Sequence, residues 1–179
     1  MTKYIALLRG INVSGQKLIR MELLRSVMNE IGLKDVTTYI QSGNVLFSYP
    51  ETEVGILADM ISDAIRTHFG FEVQIIIATP EMLENAIADN PFANRTPDDS
   101  TQPYVGFFSK VPSAESVAAL KSSDFGSDEF CILGDRIYIW YGDSAGKSKL
   151  SNALIERKLG VISTVRNWKT VKKMLALSS

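Results

Sequence analysis

Val36-Thr37-Thr38-Tyr39-Ile40-Gln41-Ser42-Gly43-Asn44-Val45-Leu46-Phe47-Ser48 is the stretch that decides the fold. Two β-branched and aromatic runs, residues 36–40 and 44–48, flank a Gln41-Ser42-Gly43 turn. Such side chains fit a pleated, half-buried surface, and glycine supplies the turn conformation other residues resist. The stretch therefore predicts a hairpin of two antiparallel strands.

Both neighbours of the hairpin read as helices. Upstream, from Met21, the residues Leu23, Leu24, Val27, Met28 and Ile31 recur at helical spacing, and Gly32 closes the segment. Downstream, Val54, Leu57, Ile61 and Ile65 form one stripe that ends at Gly70. Ser48 and Glu51 stand at the spacing of a capping box before it. Outside the helices lie two apolar strands, residues 3–9 and 72–78. Ile75-Ile76-Ile77 in the second predicts burial on both faces or a central place in the sheet. The order is β-α-β-β-α-β, the split βαβ arrangement of ferredoxin-like domains.

The rest of the chain repeats much of that order. Thr79 and Pro80 read as the cap and first position of a helix. Residues 90–102 contain Pro91, Pro97 and Asp98-Asp99, and read as a linker or mobile loop. A strand at 104–109 and a helix at 113–122 follow. Strands at 130–133 and 136–141 flank the tight turn Gly134-Asp135. A helix at 148–159, capped by Ser148 and closed by Gly160, precedes a last helix at 167–177. The expected fold class is α+β: two ferredoxin-like β-α-β-β-α halves packed together, with mostly antiparallel sheets. The expected halves are residues 1–89 and a related 90–179 with an extra C-terminal helix. No repeat is visible residue by residue.

Composition narrows the chemistry. The 179 residues fit one domain or two small ones. Nineteen basic residues against twenty acidic ones argue against a broad contact with a nucleic-acid backbone and leave room for a local basic patch. The single cysteine, Cys131, lies in an apolar run, reads as a core thiol, and permits no disulfide within the chain. The only histidine, His68, precedes Gly70 and reads as a surface or capping residue, so a classical zinc site has too few ligands. No stretch approaches the ~18 apolar residues of a membrane span, and no signal peptide is visible. The expectation is a cytoplasmic protein with no metal.

Two segments imitate phosphate loops. Gly142-Asp143-Ser144-Ala145-Gly146-Lys147-Ser148 has one residue too few between its glycines, and it follows a hairpin strand. In Gly10–Lys17, Gln16 occupies the lysine position. No dinucleotide-binding glycine pattern occurs.

Polar clusters at element ends carry the remaining interest: Arg9-Gly10-Ile11-Asn12, Ser42-Gly43-Asn44 and Arg166-Asn167-Trp168. Each also has a structural reading, with Gly43-Asn44 as turn residues, Asn167 as a helix cap and Arg9 as a solvated strand end.

With their surroundings these clusters resemble a known family. Residues 4–13, Met21 with Leu24-Arg25, residues 38–45, Asn90-Pro91-Phe92, and residues 164–168 with Thr170-Val171 closely resemble the bacterial domain of unknown function family sixteen ninety-seven. The chain departs from the usual pattern at Ser14 and Val165. The resemblance implies an α+β fold of ferredoxin-like halves, and no known cofactor, substrate or catalytic residue. Its signature polar residues are Arg9, Asn12, Ser42, Asn44, Arg166 and Asn167. They are expected to converge on one site for a small anionic ligand, a phosphate- or carboxylate-bearing metabolite or nucleotide, because guanidinium groups bind such anions bidentately. The alternatives are a single-stranded nucleic-acid-binding module on a sheet face, and a structural or protein-protein interaction module that pairs through a sheet edge or the last helix. Whether a reaction occurs stays open, as does the oligomeric state.

Overall fold

The structure is a computed structural model and describes all residues, 1–179. It has six α-helices and two four-stranded sheets in which every neighbouring pair is antiparallel. The chain forms two compact units: residues 1–84 with 174–179, and residues 85–173.

The first unit contains β1 (Thr2–Leu8), α1 (Met21–Glu30), β2 (Lys34–Tyr39), β3 (Asn44–Tyr49), α2 (Val54–Phe69) and β4 (Ile75–Ala78). Its strand order is β2-β3-β1-β4, as a split βαβ arrangement requires. Leu24, Val27 and Met28 of α1 and Leu57, Ile61 and Ile65 of α2 pack on Tyr4, Ala6, Leu8, Val45 and Phe47. The opposite face, with Ile5, Leu7, Leu46 and Ile76, is buried as well. Burial on both faces explains why β1, β3 and β4 read as continuous apolar runs. β4 is nevertheless an edge strand rather than a central one. The capping box at Ser48 and Glu51 does not form. Ser48 stays buried within β3, and Glu53 precedes α2 without a side-chain cap.

Helix α3 (Pro80–Ala88) begins as expected, with the Met82 N–H donating to the Thr79 hydroxyl. The second unit then follows the plan of the first. It contains β5 (Tyr104–Phe108), α4 (Ala114–Lys121), β6 (Glu129–Leu133), β7 (Arg136–Trp140), α5 (Asn152–Leu159) and β8 (Ser163–Asn167), in the order β6-β7-β5-β8. Phe108, Ile137, Ile139, Leu120, Ile155 and Leu159 form its core under α4 and α5. Helix α6 (Trp168–Ser178) ends the chain.

Sequence patterning misses β8. Ser163-Thr164-Val165-Arg166-Asn167 lacks a run of apolar residues, and tertiary pairing with β5 makes it a strand. Helix α5 also starts later than expected. Ser151, not Ser148, caps it by accepting from the Leu154 N–H. Residues 90–102 carry contacts of their own. The Asn90 carboxamide accepts from the Phe92 N–H and donates to the Thr96 hydroxyl, a short 3-10 turn forms at Ala93–Arg95, and the Arg95 guanidinium lies over the Phe92 and Trp140 rings and pairs with Glu129.

Gly43 tests the packing of the first unit. Its φ is +86°, and a Cβ there would fall 2.7 Å from Ile11 Cδ1 and 2.8 Å from Leu8 Cβ. Gly10 has φ +70° with nothing nearby. Gly10→Ala is expected to cost about 1–2 kcal/mol for the left-handed backbone alone. Gly43→Ala should cost clearly more, because overpacking adds about 1–3 kcal/mol. Urea denaturation of both variants checks the ranking, and equal losses would show that the contact yields freely.

Candidate functional site

The signature residues fall into two groups, one in each unit, and each group is described in its own unit. Arg9, Asn12, Ser42 and Asn44 stand at one end of the first sheet, and Arg166 and Asn167 at the end of β8.

In the first group the amides hold backbone. Asn12 Nδ2 donates to the carbonyls of Ile19, at 3.0 Å, and Gln41, at 2.8 Å, while its Oδ1 accepts from the Ile19 N–H at 2.8 Å. One side chain thus closes the loop of residues 12–19 and ties it to the β2–β3 turn. Asn44 is fully buried on β3, opposite Leu7. Its Nδ2 donates to the Tyr39 carbonyl and the Ser42 hydroxyl. Arg9, half-buried, follows β1, and its N–H donates to the Gln74 carbonyl.

The loop after Arg9 has an unusual backbone. Five of its eight residues, Gly10, Asn12, Ser14, Gly15 and Lys17, have φ between +48° and +72°. Ile40, beside the neighbouring turn, has φ +53°, an outlier for a β-branched residue. Left-handed backbone costs energy outside glycine and gathers at functional segments. The loop is also basic: Arg9, Lys17 and Arg20 occur between residues 9 and 20, with no carboxylate among them. Lys17 Nζ donates to the Glu72 carbonyl at 2.7 Å.

In the second group Asn167 does cap a helix, its Oδ1 accepting from the Thr170 N–H at the start of α6. Arg166 pairs with Val105 of β5 and is only 8% exposed. It donates to the Val165 carbonyl. Burial pushes its pKa down to about 10, so the guanidinium is still charged at neutral pH.

The other sequence candidates resolve differently. In the second unit, a hollow of about 340 Å³ is lined by residues of the 142–148 loop together with Asp124, Asp128 and Lys149. Asp128 accepts from the Gly142 N–H and from the Ser148 hydroxyl. These are the donors a phosphate would need, and an internal carboxylate already holds them. His68 contacts the Ala64 carbonyl and the Glu30 carboxylate on the surface of the first unit. Cys131 is half-buried on β6 rather than a core thiol, because β6 is an edge strand. No helix is long and apolar enough to cross a membrane, and no group of three or more His, Cys, Asp or Glu side chains is placed to hold a metal ion.

Two measurements follow from this geometry. Asn12→Gly keeps a residue that accepts the left-handed backbone and removes the clasp, so its effect reports mainly the three hydrogen bonds. Its loss is expected at about 1–3 kcal/mol, read by thermal denaturation; an unchanged melting temperature would show that the loop holds without Asn12. Purified protein should show no ATP hydrolysis that depends on Lys147. Phosphate release abolished by Lys147→Ala would refute the internal-anion account of that loop.

Comparison with known proteins adds the fold and the family. Among solved structures, the chain is similar to the conserved bacterial protein SP0830 from Streptococcus pneumoniae, at 22% identity and a TM-score of 0.74, covering 99% of each chain. At that identity the likeness shows the fold alone. No curated protein matches the chain. The family described as "Protein of unknown function (DUF1697)" matches residues 1–138, and the chain belongs to that family.

Proposed function

We propose that the chain binds a small anionic ligand, a phosphate- or carboxylate-bearing metabolite or nucleotide, through its signature arginines. The observation that carries the proposal is the loop of residues 9–20, which is basic and has five left-handed residues braced by Asn12. Interspersed left-handed residues turn backbone N–H groups to a common side and form concavities that attract anions. Arg9 would supply the bidentate fork and Lys17 a point charge. In the second unit Arg166 is the cation proposed to serve the same ligand class, since a charge this desolvated interacts strongly with an anion. Asn12, Ser42, Asn44 and Asn167 would contribute by fixing the backbone that presents the arginines. No histidine lies in these clusters, so the proposal is of binding rather than proton transfer.

Single-stranded nucleic acid is less well supported. A stacking platform needs exposed aromatic faces. Of the strand aromatics Tyr39, Phe47, Phe107, Phe108 and Tyr138, the last four are buried.

A thermal-shift screen against inorganic phosphate, pyrophosphate, nucleotides, di- and tricarboxylates and short oligonucleotides tests the proposal. A ligand present at 100 times its Kd should add about 2.7 kcal/mol of stability. Arg9→Ala and Arg166→Met are each expected to weaken its binding by about 1.5–3 kcal/mol. Arg9→Ala should disturb folding less than Leu7→Ala, whose expected cost is about 2–5 kcal/mol. A panel in which no anion shifts the melting temperature would sink the proposal. Oligonucleotides that shift it where mononucleotides do not would favour the nucleic-acid reading.

A further inference from the structure

Three apolar side chains around the basic loop of the first unit stand in water. Val13 is 56% exposed, Leu18 66% and Ile40 47%. Exposed apolar residues scattered singly are ordinary, but these three surround one side chain. Val13 follows Asn12, Leu18 precedes Ile19, and Ile40 precedes Gln41. The Asn12 carboxamide bonds both Ile19 and Gln41. With a step of about 3.8 Å between successive Cα atoms, all three Cα atoms lie within about 10 Å of Asn12 Nδ2.

The exposed residues are held in place rather than left loose. Leu18 lies between the Lys17 carbonyl, which accepts from the Asn12 N–H, and the Ile19 N–H, which donates to Asn12 Oδ1. Ile40 lies between the Tyr39 carbonyl, bonded by Asn44, and the Gln41 carbonyl, bonded by Asn12. Folding does not account for an isoleucine there. Its backbone is left-handed, at φ +53°, which a β-branched side chain resists, and nearly half of its surface is in water. Asparagine or glycine would suit the turn better on both counts. Backbone strain that the surroundings enforce gathers at ligand clamps and active sites.

Cations accompany these side chains. Lys17 precedes Leu18, and its Nζ donates to the Glu72 carbonyl. Arg25 Nη1 donates to the Thr38 hydroxyl, two residues before Ile40. Both bond neutral oxygens. The carboxylates nearest to them have other cations: Glu22 pairs with Arg20, and Glu72 with Arg66. The surroundings of the clasp therefore keep an excess of positive charge beside exposed apolar surface.

We propose that the ligand of this loop is an amphiphile, a phosphate or carboxylate head joined to an apolar chain that lies on Val13, Leu18 and Ile40. The proposal rests on the anion reading above and adds the second half of the molecule. The head takes the basic loop and its left-handed backbone, and the chain covers the three side chains. A single molecule in solution fits better than a membrane surface. Even one whole acyl chain in a bilayer gives only marginal attachment, and three side chains offer less.

Isothermal titration calorimetry of the full chain tests the proposal. The probes are inorganic phosphate with ethyl, butyl and hexyl phosphate, and acetate with butyrate and hexanoate. A fully buried methylene is worth about fourfold in affinity, so on this open surface the hexyl member of one series should bind at least about tenfold more tightly than its shortest member. Ile40→Asn combined with Leu18→Ser should remove most of that gain and leave the shortest anion bound as before. The double variant should melt no lower than the parent, because asparagine accepts the left-handed backbone. A gain with chain length that survives both substitutions would overturn the proposal. So would hexanol binding as tightly as hexyl phosphate, or attachment to phosphatidylglycerol vesicles without any gain along the soluble series. Short anions that bind with no gain along either series would overturn the amphiphile and leave the anion reading standing. If no member of either series binds, the anion reading fails and the amphiphile with it.

Discussion

The Leu8 N–H reaches the Gly43 carbonyl at 2.9 Å, and the first unit depends on that approach. Atoms of Leu8 and Ile11 stand where any side chain at position 43 would begin. With Gly43 in place, Leu7 falls opposite Asn44 and Ile5 opposite Leu46. A slip of one residue would exchange the two faces of the strand. The buried Asn44 amide then reaches the Tyr39 carbonyl, which fixes the turn to which Asn12 ties its loop. The second unit has a counterpart in Gly106 of β5, where a Cβ would fall 2.7 Å from Ile137 Cγ2. In both units a residue without a side chain lets the central strands approach.

Polar chemistry in this chain is spent largely on backbone. Asn12, Asn44, Asn90 and Asn167 each hydrogen-bond main-chain groups of a turn or helix start. Buried amides need such partners, because an unpaired one costs more than the bond returns. Asp128 does the same for the glycine-rich loop. Among the signature side chains only the arginines carry charge.

Much of this fold was legible in the sequence, for reasons that differ by element. The helical stripes of α1 and α2 and the hairpin around Gly43 follow local rules, and both formed. The cap positions at Thr79 and Asn167 were legible because a short polar side chain beside a helix start has few other uses. Ser48 and Ser148 look alike in sequence, yet one lies within a strand and the other bonds to Asp128, twenty residues away. β8 was hidden because its polar residues become a strand only through β5. The clasp made by Asn12 joins residues 29 apart, and no periodicity announces such a bond. The left-handed backbone from Gly10 to Lys17 was equally invisible beyond its glycines, since Asn12, Ser14 and Lys17 carry no such requirement themselves.

The two units share one strand order, with β2 corresponding to β6, β3 to β7, β1 to β5 and β4 to β8. They keep it without a visible repeat in sequence. Each structural position therefore exists twice, in two chemical versions. The first sheet has a bulged outer strand that begins with Lys34 and Asp35, where the second has a regular one whose single charge, Glu129, pairs with Arg95. The connection after the first central strand is a long basic loop in one unit and the short Ser109-Lys110-Val111-Pro112-Ser113 in the other. Doubling of this kind frees one copy of a position from the work its twin performs, so a single small architecture can diverge in two directions within one polypeptide.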